Sequence, residues 1–376
     1  MRTMPLYRGI GHPVKVSFEA FLAVAFALAI LRPLSPTKKE TPMDAAKYDV
    51  VGIGNAIVDV LAHADDDFLQ SHELAKGAMT LIDSETAANL YDEMGPAVEC
   101  SGGSAANTIA GLASLGGKGA FVGKVRDDQL GAIFRHDIRT LGVGFDTLLA
   151  QSGTPTARCL IFVTPDAQRT MLTYLGACVE LGPDDIDPDV IAESKICYLE
   201  GYLFDPPQAK EAFIKASEMS HDAGRLVSLS LSDAFCVGRY RDEFRDLVKN
   251  HVDILFANED EIKSLYETKT FDEALQHVRE GCDIAALTRS ENGAVIVSGE
   301  EVHVLDAEPV ANLADTTGAG DAFAAGFLFG FTQEMPLDKC GRIGAIVAAE
   351  TIQHMGARPD VSFRELVENT LEESLD

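Results

Sequence analysis

The stretch VDILFANEDEIKSLYE, residues 252–267, changes its periodicity halfway along. It opens as an apolar run interrupted only by Asp253, and it ends with Ile262, Leu265 and Tyr266 at helical spacing among charged residues. A run that stays apolar without alternating is a strand buried on both faces, and the amphipathic segment behind it is its covering helix. The same unit recurs outward in both directions. YDVVGIG (48–54), GAFVGKV (119–125), KICYLEGY (195–202), RLVSLSL (225–231) and IAALTRS (284–290) are short apolar runs. SAANTIAGLASLG (104–116) and PPQAKEAFIKASEMSHDAG (206–224) are helical segments between them. Such alternation predicts an α/β fold around a mostly parallel sheet with helices on both faces.

Two regions break the rhythm. TARCLIFVTPDAQRTMLTYLGA (156–177) reads as two β-rich runs about a Pro-Asp turn, a hairpin rather than a βα unit. Residues 58–100 hold short apolar pieces such as GAMTLID (77–83) in acidic sequence. Together these segments are expected to form a small β-rich lid on one large domain, residues 43–376. No internal repeat interrupts that domain.

The chain has 376 residues, 46% hydrophobic and 24% charged, enough for a sizeable core. A net charge of −28 argues against a general nucleic-acid binder. The seven cysteines are scattered without CxxC spacing, which fits buried thiols in a reducing, cytoplasmic setting rather than a disulfide framework. Residues 1–42 differ in character: six Lys/Arg against two Glu, with an apolar run of 12 at 20–31. That run is shorter than the roughly 20 residues a bilayer span needs, so no stable membrane association is expected. The segment has the outline of a signal peptide; the competing reading places the true start at Met43. Either way it is expected to stand outside the fold as an N-terminal extension.

In an open parallel sheet, ligands bind beyond the carboxyl ends of the strands. Asn55 and Asp59 after the first run, Asn258 and Glu261 after VDILFA, and Thr288 after IAAL all fall there. GIGNAI (52–57) has Ile57 where a dinucleotide fingerprint needs Gly or Ala, which disfavours an NAD-dependent oxidoreductase. No P-loop GxxxxGK[ST] occurs, and SGGSAAN (101–107) lacks the second glycine of a nucleophile elbow. Its plain reading is a helix start capped by Ser104, with Asn107 one turn inside. DTTGAGDAFAAGF (315–327) is a glycine-rich turn feeding an apolar helix, a place where amides and the helix dipole favour an anion. Asp321 in that turn is either a helix cap or a general base beside a bound phosphate, with residues 318–321 as donors.

These motifs resemble those of the ribokinase/phosphofructokinase-B superfamily of sugar and nucleoside kinases. DTTGAGDAFAAGF is similar to its C-terminal signature, SGGSAANTIAGLASLGGKGAFVGKVRDDQLG (101–131) to its N-terminal signature, and NEDE (258–261) to its N-x-x-E motif. The resemblance runs over about residues 48–360 in the family's order and spacing. GIGNAIVDV, GGSAAN, LSLSDAF (229–235) and VDILFANEDE are closer to the adenosine kinase branch. The resemblance implies a ribokinase-like three-layer α/β/α fold with a small lid, binding ATP and Mg2+ and, in some members, K+. It implies Asp321 as catalytic base and Gly318, Ala319 and Gly320 as the anion hole. Asn55, Asp59, Gly103, Asn107 and Arg169 would serve the acceptor, with Arg169 approaching the phosphates from the lid hairpin. Asn258, Thr288, Gly293 and Thr316 would serve ATP, and Glu261 would hold Mg2+ through water. Tyr202 or Leu203 would pack on a base. Departures are Ser290, where many members carry glycine, and Ala56, where animal adenosine kinases have proline.

The expected activity is phosphorylation of the 5′-hydroxyl of adenosine, giving AMP and ADP, by a monomer or homodimer. A sugar kinase is the alternative within the superfamily, and a non-catalytic nucleoside-binding protein the alternative outside it.

Overall fold

The computed structural model describes residues 46–166 and 168–375; the expectations for residues 1–42 lie outside them. Thirteen strands are formed among the described residues. They are β1 (Tyr48–Ile53), β2 (Ile57–His63), β3 (Met79–Leu81), β4 (Ala97–Gly102), β5 (Gly119–Val122), β6 (Ala157–Val163) and β7 (Arg169–Tyr174). There follow β8 (Ser194–Glu200), β9 (Leu226–Ser230), β10 (Ile254–Asn258), β11 (Ile284–Thr288), β12 (Ala294–Ser298) and β13 (Glu301–Leu305).

Eight of them make the main sheet in the order β13-β12-β11-β10-β9-β8-β1-β5. The six from β11 to β5 run parallel, and β12 and β13 extend the edge as an antiparallel hairpin. Each inner strand divides its side chains between two cores, as period-two geometry requires. Val50, Ile196 and Tyr198 face one core. Val51, Ile53, Cys197 and Leu199 face the other. Helices cover both faces, so the chain is an α/β/α sandwich, as expected. All seven cysteines are free thiols, five of them buried.

The remaining strands form a second, five-stranded sheet in the order β3-β7-β6-β2-β4. The β6–β7 pair is the expected antiparallel hairpin, Arg158 opposite Tyr174 through Val163 opposite Arg169. Asp59, which follows the first strand, lies inside β2, opposite Cys100 of β4 and Cys159 of β6, within the stretch expected to build the lid. The alternation I-V-D-V-L-A-H, with Val58, Val60 and Ala62 buried, is that of a one-sided strand.

Two connections decide where a ligand can enter. From β1 the chain crosses to β5 on one side, and β8 then returns to the other side of β1. Neighbouring connections that leave in opposite directions open a crevice at the strands' carboxyl ends. Helices α1 (Ser104–Ser114), α2 (Ala319–Thr332) and α3 (Leu337–Thr351) pack together on the face beside that crevice. α2 and α3 approach closely because Gly326 faces Gly344: a Cβ on Gly326 would stand 2.7 Å from the Gly344 backbone. Among the described residues, no helix is long and apolar enough to cross a membrane.

Candidate active site

The crevice opens where β1 and β8 end. Glu200, the last residue of β8, is 1% exposed. Its Oε1 accepts from Asn55 Nδ2 at 2.7 Å, and its Oε2 from the Ala105 amide at 2.8 Å and the Asn55 amide at 3.3 Å. Burial pushes its carboxyl up to about 7 against the pull of these donors. One side chain thereby ties β1's exit turn to the start of α1. Asn55 Oδ1 is buried and has no hydrogen-bond partner among the described residues. An orphaned carbonyl oxygen calls for a donor, such as a ligand hydroxyl.

The paired glycines of the first signature are steric necessities. A Cβ on Gly102 would collide with the Asp59 carboxylate, and one on Gly103 with the Asn55 carbonyl. Gly103 also holds φ +99°, where a side chain is strained. Gly103, not Ser104, is the N-cap of α1, and it supplies no side-chain cap. The expected capping role of Ser104 is therefore replaced: its hydroxyl donates to Asp321 Oδ1 at 2.6 Å.

Asp321 likewise does not cap α2; that position belongs to Gly318, in the left-handed region at φ +79°. Its Oδ2 accepts from Asn107 Nδ2 at 3.1 Å. Burial raises its carboxyl above the ordinary carboxylate range, while Ser104, Asn107 and the Arg358 charge pull it down. Each carboxylate oxygen has two lone pairs, so both oxygens retain acceptor capacity. Beside it Gly320 is open: a Cβ there would meet nothing within 4 Å. The Ala319 amide bonds back to the Thr316 carbonyl at 3.3 Å. Asp59 lies in the field of the same charges. Burial pushes its carboxyl up to about 6, with Arg358 and Arg169 lowering it and Asp321 raising it.

Arg169 is paired with Asp315 at the head of the glycine turn, and its charge also reaches Asp59. Asp315 Oδ2 also accepts from the Gly356 amide, and Oδ1 from the Thr317 amide and hydroxyl. These donors outweigh burial and hold its carboxyl below the usual range. Segments 311–315 and 352–353 are hydrogen-bonded to each other here.

The N-x-x-E residues form a reciprocal cap. Asn258 Oδ1 accepts from the amides of Asp260 and Glu261, each at 2.9 Å. The Glu261 carboxylate accepts from Asn258 N at 2.9 Å and Nδ2 at 2.6 Å. Burial pushes Glu261 up to about 7. Thr288 lies directly opposite Asn258 across the β10–β11 register. Gly293, at φ +77°, stands immediately before β12, and Thr316 lies in the turn before α2. Leu203 is fully buried and belongs to the core, whereas Tyr202 is 48% exposed. The Tyr202 hydroxyl feels the carboxylates of Asp233, Asp321, Glu261 and Glu200, which links the two halves of the crevice.

The structure thus brings Asn55, Asp59, Gly103, Asn107 and Asp321 together and sets Asn258, Thr288 and Glu261 at the neighbouring strand ends. Two residues escaped the sequence reading. Glu200 was legible in principle, as a lone carboxylate ending an apolar strand. Arg358 carried no local signal.

The pattern of the pfkB family carbohydrate kinases matches residues 82–364. An adenosine kinase from Sinorhizobium meliloti superposes with TM-score 0.79 at 53% identity, covering 86% of this chain and 100% of that one. A probable sugar kinase from Rhizobium etli gives TM-score 0.79 at 52% identity, over 86% and 99% of the two chains. The adenosine kinase of Saccharomyces cerevisiae is 25% identical over 82% of this chain and 95% of its own.

Proposed function

The chain belongs to the pfkB family of carbohydrate kinases, and from that premise we propose that it is an ATP-dependent adenosine kinase. The reaction joins the ribose 5′-oxygen to the γ-phosphorus as the bond to ADP breaks, giving AMP. The observation that carries this reading is the Asp321 carboxylate, oriented by Ser104 and Asn107 beside the open face of Gly320. A carboxylate standing beside a glycine-opened helix start supports this reading. Asp321 takes the hydroxyl proton as the oxygen attacks, and the burial that raises its basicity favours that transfer. The N-terminus of α2 favours the transferring phosphoryl group. Asp59 and the orphaned Asn55 Oδ1 are the acceptors for ribose hydroxyls.

Glu261, with lone pairs left on both oxygens, fits a water-mediated Mg2+ ligand near Asn258. Such an ion supplies neutralisation of the phosphate charge. Thr288, Gly293 and Thr316 complete the ATP side of the crevice in this reading. The choice of adenosine rests on the 53% identical adenosine kinase. A sugar acceptor is the second reading, favoured by the sugar kinase of nearly equal identity.

A coupled assay for ADP release with adenosine, inosine, ribose and fructose as acceptors separates the two. Turnover of adenosine is expected; a protein that turns over a free sugar and not adenosine refutes the substrate assignment. Asp321→Asn is expected to lower kcat by about 10²–10⁴-fold with adenosine binding retained. A mild loss would leave Asp321 a structural residue only.

A further inference from the structure

Arg358 follows α3 in a stretch of bends, and its guanidinium reaches back into the acceptor site. Its Nε donates to Asn107 Oδ1 at 2.8 Å, and its Nη1 to Ser101 Oγ at 2.8 Å. Nη1 also lies 3.9 Å from Asp137 Oδ2, which itself accepts from the Ser101 hydroxyl at 2.6 Å. Nη2 is buried and has no hydrogen-bond partner among the described residues.

A guanidinium can only donate, so the Asn107 atom that meets Nε must be the carbonyl oxygen. The Asn107 NH2 is thereby turned the other way, and there it meets Asp321 Oδ2 at 3.1 Å. Flipping the amide would face its NH2 with an N–H donor and its carbonyl with a carboxylate, losing both bonds at once. The charge has a second consequence. Asp59 and Asp321 share one site, and two nearby carboxylates resist joint ionisation unless a cation stands with them.

We propose that Arg358 is the positioning residue of phosphoryl transfer: it locks the Asn107 amide so that Asp321 is held by a donor, and its charge keeps Asp321 and Asp59 ionised together. This rests on the assignment of Asp321 as the base. The groups around Asp321 are Ser104 and Asn107 from α1, Asp59 from β2, Tyr198 and Glu200 from β8, Tyr202 just beyond it, and Arg358. Arg358 is the cation that bears on Asp321, and at Asp59 it acts ahead of Arg169. Removing Arg358 therefore leaves Asp321 facing carboxylates and phenols.

The test uses the full chain, with whichever acceptor turns over, and pH profiles of kcat for wild type, Arg358→Gln, Arg358→Lys, Asn107→Ala and the Asn107→Ala/Arg358→Gln double variant. Arg358→Gln is expected to lower kcat by about tenfold or more and to move its acid limb to higher pH, leaving KM for ATP within about twofold. Arg358→Lys is expected to restore the acid limb, because the charge returns, but not the full kcat, because the fork that orients Asn107 does not. On the pH-independent plateau of kcat the double variant is expected to lose little beyond Asn107→Ala alone, since the orienting part of Arg358 acts through that amide, while its acid limb still moves because the charge is gone. An unmoved acid limb, or plateau losses that multiply fully in the double variant, overturns the proposal. Should Arg358→Gln fail to fold in a thermal melt, the Arg358→Lys profile decides: a wild-type kcat there overturns it equally. Asp321→Asn run in parallel separates the two failures. An active Asp321→Asn sinks the base assignment, whereas an inactive one beside a wild-type-like Arg358→Gln sinks only the role of Arg358.

Discussion

Asp59 lies inside β2 of the five-stranded sheet, within the stretch 58–100 expected to build the lid. Its carboxyl, pushed up to about 6 by burial, loses its charge on mild acidification. As a hydrogen-bond acceptor for the substrate it is expected to give kcat/KM an acid limb near that pH. Asp59→Asn should flatten this limb while lowering kcat/KM by about 10- to 100-fold, the worth of a hydrogen bond to a charged group. An Asn variant with an unchanged profile would remove Asp59 from the acceptor site. The residues that sequence reading found here, Asp321, Asn107 and Asp59, stand beside glycine turns that announce a close approach. Glu200 and Arg358 do not, because their partners lie far along the chain: Asn55 is 145 residues from Glu200, and Asn107 is 251 from Arg358. Only the folded topology brings those pairs together.

Among the elements, the βα unit at 252–267 was fully legible, with β10 and its helix (Glu259–Tyr266) falling where the change of periodicity put them. The edge hairpin β12–β13 was not singled out, because its short runs about Gly299 look like the neighbouring parallel strands. Pairing direction is set by tertiary context, not by composition. The cap on the Glu259–Tyr266 helix also predicts a pH effect. Glu261 in the folded chain holds its proton up to about 7, against an ordinary 4.5. A carboxyl raised in this way contributes stability that is complete below the unfolded value and is lost as pH rises through the folded one. Glu261→Gln should therefore gain on wild type between pH 4.5 and pH 7, by up to about 3 kcal/mol in denaturant unfolding. A constant difference across that range would contradict the buried, protonatable carboxyl. At the other signature, Gly103→Ala meets both a left-handed backbone and the Asn55 carbonyl. It should lower the melting temperature by several degrees and raise KM for the acceptor, a pair of effects that calorimetry and kinetics read separately.

For the molecule as a whole, the Arg169–Asp315 pair joins the five-stranded sheet to the turn that opens α2, with side-chain exposures of only 8% and 12%. Breaking a buried pair from one side leaves an uncompensated charge and typically costs about 3–5 kcal/mol. Arg169→Met should destabilise by that order and speed amide exchange in β6, β7 and residues 315–318; protection unchanged from wild type would show that the sheet is held by its other contacts. The same sheet order has a consequence in time. β1 is made first, yet its two neighbours are β5 and β8, and the bond from Asn55 to Glu200 spans 145 residues. On the ribosome the first strand must wait, unpaired on one side, until half the chain has emerged, and α2 joins it later still. Pairings of such long sequence separation make folding slow, so refolding from denaturant is expected to lag well behind that of helical proteins of equal length. Activity should return in the last phase, when the segment carrying Asp321 docks against a sheet already built.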